Sequence, residues 1–276
     1  MGIKLRYILI VGLFVITAFS IGGGIVFQSY KSAPTDSLYS IKLSVIEPFT
    51  SSLYLKSYKK AGYYKTLIGK RLEEIRTSPQ PIPQLQTILA NIEKNTTLLK
   101  NTTENIKQSG RLPIAVEILT DTETLLKAHE TIFTARLNDA QGDVELTSII
   151  ALLQDMRDEL GPLRFSLETL FSQATKFDEK QLGGVDIYLR ETTAVKLITV
   201  QTELEQNQKL KEHATRVDER VITALETVQD TLNKTEFLLR EKRYIDAFSL
   251  LVHARATVEE AAIIVTDAKE TLAETF

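Results

Sequence analysis

The chain contains no cysteine and no tryptophan. Without cysteine there are no disulfide staples and no thiolate metal ligands, so stability rests on packing alone. This fits an exported protein and a cytosolic one equally. Only 12 glycines and 7 prolines occur in 276 residues, and the prolines sit at segment boundaries. Threonine is abundant, yet no segment alternates with the two-residue period of a half-buried strand, so no β-sheet is expected. Histidine is also scarce. His129, His213 and His253 stand alone, each with leucine three residues before it (Leu126, Leu210, Leu250), where a di-iron bundle needs glutamate. His129 falls on an apolar side with Leu126 and Phe133 and reads as a core or rim residue. No zinc-binding His-Glu-x-x-His and no nucleophile elbow is present. Gly22 to Gly24 lie within an apolar run, not a phosphate loop. Carboxylate pairs such as Asp155/Asp158/Glu159 and Glu259/Glu260 sit among other charges and read as solvated faces. No catalytic, cofactor-binding or metal-binding residue is expected, and the chain reads as non-enzymatic.

What the chain does have is an uncharged apolar run from Tyr7 to Phe27, preceded by Lys4 and Arg6. As a helix it would span roughly 30 Å, the thickness of a bilayer's hydrocarbon core. Ala18-Phe19-Ser20 offers a cleavage site for a signal peptide, but apolar residues continue past it to Ile25, Val26 and Phe27, which favours a retained anchor. The basic residues ahead of the run place the N-terminus in the cytoplasm and the body outside.

Charge is unevenly spread. From Tyr30 to Arg76 nine basic residues face four acidic ones, whereas from Thr77 onward 22 basic residues face 32 acidic ones. The pattern suggests a basic membrane-proximal element and an acidic distal body. It disfavours nucleic acid as a partner.

Periodicity throughout is helical. Asp36 is placed as an N-cap, a first helix ends at Glu47-Pro48, and a second runs from about Phe49 to Arg76. The second carries an apolar stripe of Tyr54, Tyr58, Ala61, Tyr64, Ile68, Leu72 and Ile75. Leu85, Ile92, Leu99 and Ile106 recur at seven-residue intervals in a third helix, from about 83 to 108, and a fourth runs from about 113 to 138. Shorter helices are expected at 143–159 and 163–177, split by Gly161-Pro162. A long helix is expected from 185 to 240, with Val221, Leu225, Val228 and Leu232 as a coiled-coil-like seam. A corner at Glu241-Lys242-Arg243 leads to a last helix. Segments 109–119 and 241–251 align over an Arg, an Ala and a Leu, as generic helical hairpins do. Asn95, Asn101 and Asn233 lie in Asn-x-Thr patterns and read as surface residues. The domain reading is an anchor over 1–29, a basic aromatic segment over 30–78, helical hairpins over 79–182, and a long C-terminal hairpin over 183–276.

The stretch Ala33-Pro34-Thr35-Asp36-Ser37-Leu38-Tyr39-Ser40-Ile41-Lys42 resembles the opening of an uncharacterised bacterial family, catalogued as a domain of unknown function. In that family a membrane or signal segment precedes a Pro-Gly-Asp-x-Leu-Tyr-x-(Val/Ile)-Lys motif, and a later helix ends near an Arg-Leu-x-Glu run. Arg71-Leu72-Glu73-Glu74-Ile75 is similar to that run. Thr35 stands where the family usually has glycine. The resemblance covers roughly residues 33 to 76. It implies an exported or anchored helical bacterial protein and no catalytic activity.

Physically, Asp36, Leu38, Tyr39, Ile41 and Lys42 would form a knuckle that sets the angle between anchor and body, with Lys42 reaching lipid phosphates. Tyr54, Tyr58, Lys56, Lys59 and Lys60 are candidate membrane-surface contacts, since aromatics favour the interface and lysines the anionic headgroups. The competing reading makes 49–76 an ordinary bundle helix with solvated lysines. The expected fold is all-α, a transmembrane helix followed by an extracytoplasmic bundle of long antiparallel helices. The expected function is a membrane-anchored structural or interaction module without a cofactor. Its partners would be the lipid bilayer and a protein at the envelope, with a homo-oligomer also compatible. A sensory or ligand-binding ectodomain is the alternative. Partner identity, oligomeric state and biological process are not encoded in any motif.

Overall fold

The computed structural model describes residues 32–34, 36–77, 81–108, 111–140, 143–174, 179–212 and 219–273. The apolar run Tyr7–Phe27 and His213 lie outside them. Among the described residues no helix is long and apolar enough to cross a membrane.

The described residues are all-α. A short α1 (Tyr39–Ile41) passes through a π turn (Lys42–Ile46) into α2 (Glu47–Ser52). Then follow α3 (Ser57–Thr77), α4 (Ile82–Gln108), α5 (Leu112–Ala140), α6 (Val144–Ala174), α7 (Glu179–Glu212), α8 (Glu219–Arg240) and α9 (Tyr244–Ala273). Threonine does not turn these segments into strands. Its hydroxyl repeatedly donates back to the carbonyl four residues earlier, as at Thr103, Thr122, Thr124 and Thr235, which satisfies the group inside the helix.

Helices α3 to α6 form one bundle. α3 pairs with α4, α5 with α6, and α3 with α5. Its core takes Ala61, Tyr64, Ile68, Leu72 and Ile75 from the expected α3 stripe, and Leu85, Ile92, Leu99 and Ile106 from the seven-residue repeat of α4. Helices α7, α8 and α9 form a second apolar cluster around Val200, Leu204, Val221, Leu225, Val228, Leu232 and Leu251. α9 also packs along α5, so it belongs to both assemblies.

Several boundaries differ from the sequence reading. The chain does not break at Glu47-Pro48. It stays helical to Ser52 and breaks over 53–56. The π turn widens the backbone just ahead of Pro48, where a proline ring needs room against the preceding turn. Nor does Gly161-Pro162 divide α6, which is continuous from Val144 to Ala174. The N–H that Pro162 lacks would have gone to the carbonyl of Asp158, an exposed residue, and Gly161 has no Cβ for the proline ring to crowd. Packing of Leu153, Met156, Leu160 and Leu167 on one face holds both halves in line. The single helix expected over 185–240 is two helices. α7 runs through Gly183-Gly184, and α8 lies back beside it, with Gln201 donating to Glu236 at 3.2 Å. The C-terminal part is therefore a three-helix unit rather than one hairpin. At the 241–243 corner Lys242 adopts a left-handed φ of 59°. The aligned positions Ala115/Ala247 and Leu119/Leu251 are all buried.

Candidate functional site

The two halves of the motif noted in the sequence meet in space. Tyr39, buried against the core, donates its hydroxyl to Glu74 at 2.6 Å. Glu74 also receives Arg71 at 2.5 Å and lies 3.5 Å from Lys42. Arg71 has no exposed surface at all. Its fork reaches Glu47 of α2, Glu74 of α3 and Asn91 of α4, so one guanidinium joins three elements. Asn95 donates to the same Asn91 oxygen at 2.8 Å. Arg71 and Lys42 each sit 5.2 Å from the Tyr39 ring centre. Two cations and two carboxylates thus form a compact neutral knot that clamps the segment following Ser32 onto the bundle.

Burial dominates the ionisation of this knot. It pushes the Tyr39 hydroxyl well above its ordinary range. It raises the Glu47 carboxyl against the opposing pull of Arg71. It lowers Lys42, and the neighbouring Arg71 charge adds to that effect. Glu47 Oε2 has no hydrogen-bond partner.

These contacts correct two expectations. Asp36 does not cap the following helix. Its carboxylate accepts the N–H of Ala33 behind it at 2.7 Å, and the helix starts at Tyr39 with no side-chain cap. Lys42 does not extend toward phosphates. It turns inward to the carbonyl of Ser32 at 2.9 Å and to Glu74. Leu38 and Ile41 are half-buried at the edge of the knot.

The other candidate contacts lie next to the knot. Tyr54 packs on Tyr63 with ring centres 5.2 Å apart, and the Arg111 guanidinium stands 4.7 Å from the Tyr58 ring. Lys56 and Lys59 are exposed and Lys60 is half-buried. α3 itself is a bundle helix, with its stripe buried in the core. The exposed apolar residues beside the knot are instead upstream of it: Val45, Phe49, Leu53 and Leu55. A helix break at Pro48 hides the four-residue spacing of Val45, Phe49 and Leu53, which shows only when the helix continues past the proline to Ser52. The role of Glu47 is hidden in the sequence for a related reason. Before Pro48 it reads as a helix end, although it is the one acid between Asp36 and Glu73.

Two further charged clusters brace the helices. Asp121, in the middle of α5, receives Lys65 at 2.5 Å and Arg255 at 3.5 Å, while Glu117 receives Arg255 at 2.8 Å and also binds Lys196. Glu259 stands beside them. Burial raises its carboxyl, and the like charge of Asp121 adds to the shift. The residue is half-buried and its Oε2 is shielded without a hydrogen-bond partner, so it does not sit on a freely solvated face as the sequence reading has it. At one end of the bundle Arg76 bonds to Glu73, Asp267 and Glu270, and Arg136 reaches Asp267 at 2.5 Å. A cavity of about 680 Å³ opens there between Leu85, Phe133 and this arginine cluster. Next to it His129 is 2 % exposed, with Nδ1 on the Leu125 carbonyl at 2.8 Å and Nε2 4.0 Å from Glu73. Asn95 is buried, while Asn101 and Asn233 are exposed. Among the described residues no group of three or more histidines and acids is disposed to hold a metal.

Compared with known protein families, with curated proteins and with solved structures, the chain matches none. The class that its own residues define is an all-α protein of long packed helices, with a buried ion-pair knot where the described chain begins.

Proposed function

We propose that the chain is a membrane-anchored helical interaction module. Its N-terminus lies in the cytoplasm and its body outside, presented to a protein partner at the envelope, in the manner implied by the resemblance at residues 33–76. The observation that carries this reading is the knot around Arg71. A flexible tether would need no fixed geometry where the chain leaves the apolar run. Here Lys42 holds the Ser32 carbonyl, and Arg71 ties the following helix to two others. Such a joint transmits the orientation of an anchor to the body.

The sensory alternative draws less support. A ligand site would call for convergent polar groups in a cavity, and at the 680 Å³ cavity Arg76, Arg136, Asp267 and Glu270 pair with one another. The test is protease added to intact cells expressing the full chain. Removal of the body before the membrane is opened is the expected result. A body that resists until lysis overturns the orientation. Crosslinking in intact cells then captures the partner.

A further inference from the structure

The outward side of the helix that follows the knot is apolar. Its inward side is made by Leu43, Ile46, Glu47 and Ser51. At four-residue steps its outward side presents Val45 (58 % exposed), Phe49 (64 %) and Leu53 (63 %), and Leu55 stands almost fully exposed at 96 %. The exposed positions between them, Ser44, Pro48 and Ser52, carry no charge. A surface helix in water normally turns a charged face outward. This one instead turns Val45, Phe49 and Leu53 outward with no charge among them, and exposed apolar patches of this kind mark interaction surfaces.

Two observations say what covers it. The first is charge. Residues 48–72 contain no acid. In that stretch Lys65 and Arg71 are consumed by internal partners, whereas Lys56, Lys59 and Lys60, immediately after Leu55, make no ion pair among the described residues. The second is where the chain outside the described residues ends. Only four residues separate Phe27, the last residue of the apolar run, from Ser32, a span of at most about 18 Å. Lys42 then pins Ser32 to the base of this helix.

We propose that this face seats in the headgroup layer of an anionic bilayer. Phe49, Leu53 and Leu55 enter the acyl boundary, and Lys56, Lys59 and Lys60 meet the lipid phosphates. This rests on the anchored reading above and makes that anchor's own membrane the second contact of the body. The knot then fixes the tilt of the bundle over the surface, since it holds both the chain exit and the docked helix.

The absence of cysteine makes the test direct. Full-length chains carrying Phe49→Cys or Leu53→Cys, with Phe165→Cys and Phe237→Cys as exposed positions on α6 and α8, are labelled with a polarity-sensitive fluorophore. They are reconstituted into phosphatidylcholine vesicles with and without about one-third phosphatidylglycerol. The expected result is blue-shifted emission at 49 and 53, quenched by doxyl groups on the lipid tails, with neither change at 165 and 237. Replacing Lys56, Lys59 and Lys60 by glutamine lowers the docked-to-free ratio in anionic vesicles by about fivefold per lysine. Aqueous emission at 49 and 53 on chains that float with the vesicles overturns the docked face and leaves the anchor standing. Blue-shifted emission that lipid-borne quenchers do not reach means that a protein surface or a second copy covers the face, and also overturns it. Chains that fail to float overturn anchor and face together.

Discussion

Arg71→Met removes the guanidinium that joins three elements and leaves its acceptors in place. Glu74 keeps Tyr39 and Lys42, and Asn91 keeps Asn95, so the loss concentrates on Glu47. That carboxylate is 7 % exposed and its second oxygen already lacks a partner. Stranding a buried charge in this way costs about 3–5 kcal/mol, a large share of the 5–15 kcal/mol that holds a typical domain together. The penalty depends on pH with a definite sign. Burial raises Glu47's folded pKa, and without Arg71 only the Lys42 charge opposes the rise. The folded state then binds the proton more tightly than the unfolded chain does, so the destabilisation grows as pH rises above the ordinary carboxylate range and is present at neutral pH. It shrinks as pH falls toward the ordinary carboxylate range. Adding Glu47→Leu to Arg71→Met removes the stranded charge, and the double variant recovers about 2 kcal/mol of the loss. Urea unfolding of the full chain in detergent micelles, followed by circular dichroism, measures all three proteins. Hydrogen exchange should show residues 36–52 opening first in Arg71→Met. A single variant within about 1 kcal/mol of wild type at neutral pH refutes the reasoning, since that is the scale of an ordinary hydrogen bond. So does a double variant no more stable than the single.

Burial lowers the pKa of His129, so the fold favours its neutral ring. Stability should be complete above about pH 6.5 and decline below it by at most about 1.4 kcal/mol per pH unit as the unfolded chain takes the proton. Its surroundings include Glu73, Arg76 and Asp267, and a His129→Gln variant should lose this part of the pH dependence in thermal melts. Gly62→Ala should stabilise by about 0.5–1 kcal/mol, because a Cβ there meets nothing and α3 gains a better helix former. Gly161→Ala has the same open space but precedes Pro162, and its gain should be smaller in the same melts.

Much of the fold was legible from local spacing. The stripe from Ala61 to Ile75, the seven-residue repeat of α4 and the Val221–Leu232 seam are all buried as their periods imply, because a period of three and four residues dictates one helical face whatever lies opposite. The breakers were legible only as tendencies. Pro48, Pro162 and Gly183-Gly184 each mark a local cost, yet the helix continues through all three, since a lost backbone bond is a smaller term than a shared packed face. The opposite error occurred between α7 and α8. No glycine or proline lies in 185–240, so local spacing predicts one helix of about 84 Å. Such a rod would expose the stripes of both halves. Folded back, Val200 and Leu204 bury against Val221 and Leu225, with α9 closing the cluster.

The motif at 33–42 shows the same division. The residue types alone fixed that something polar and aromatic follows the apolar run. Whether Lys42 faces lipid or protein, and whether Glu47 ends a helix or holds an arginine, depends on which residues of α3 and α4 stand opposite. Periodicity, charge distribution and the apolar N-terminal run are properties of neighbours along the chain, and the sequence by itself determined them. The Arg71 knot and the outward turn of Val45, Phe49 and Leu53 were decided only by tertiary packing. Glu47 reaches an arginine 24 positions away, and Tyr39 a glutamate 35 away. No local energy encodes a pairing at that distance; it forms because an unpaired charge in a dry core is too costly to leave.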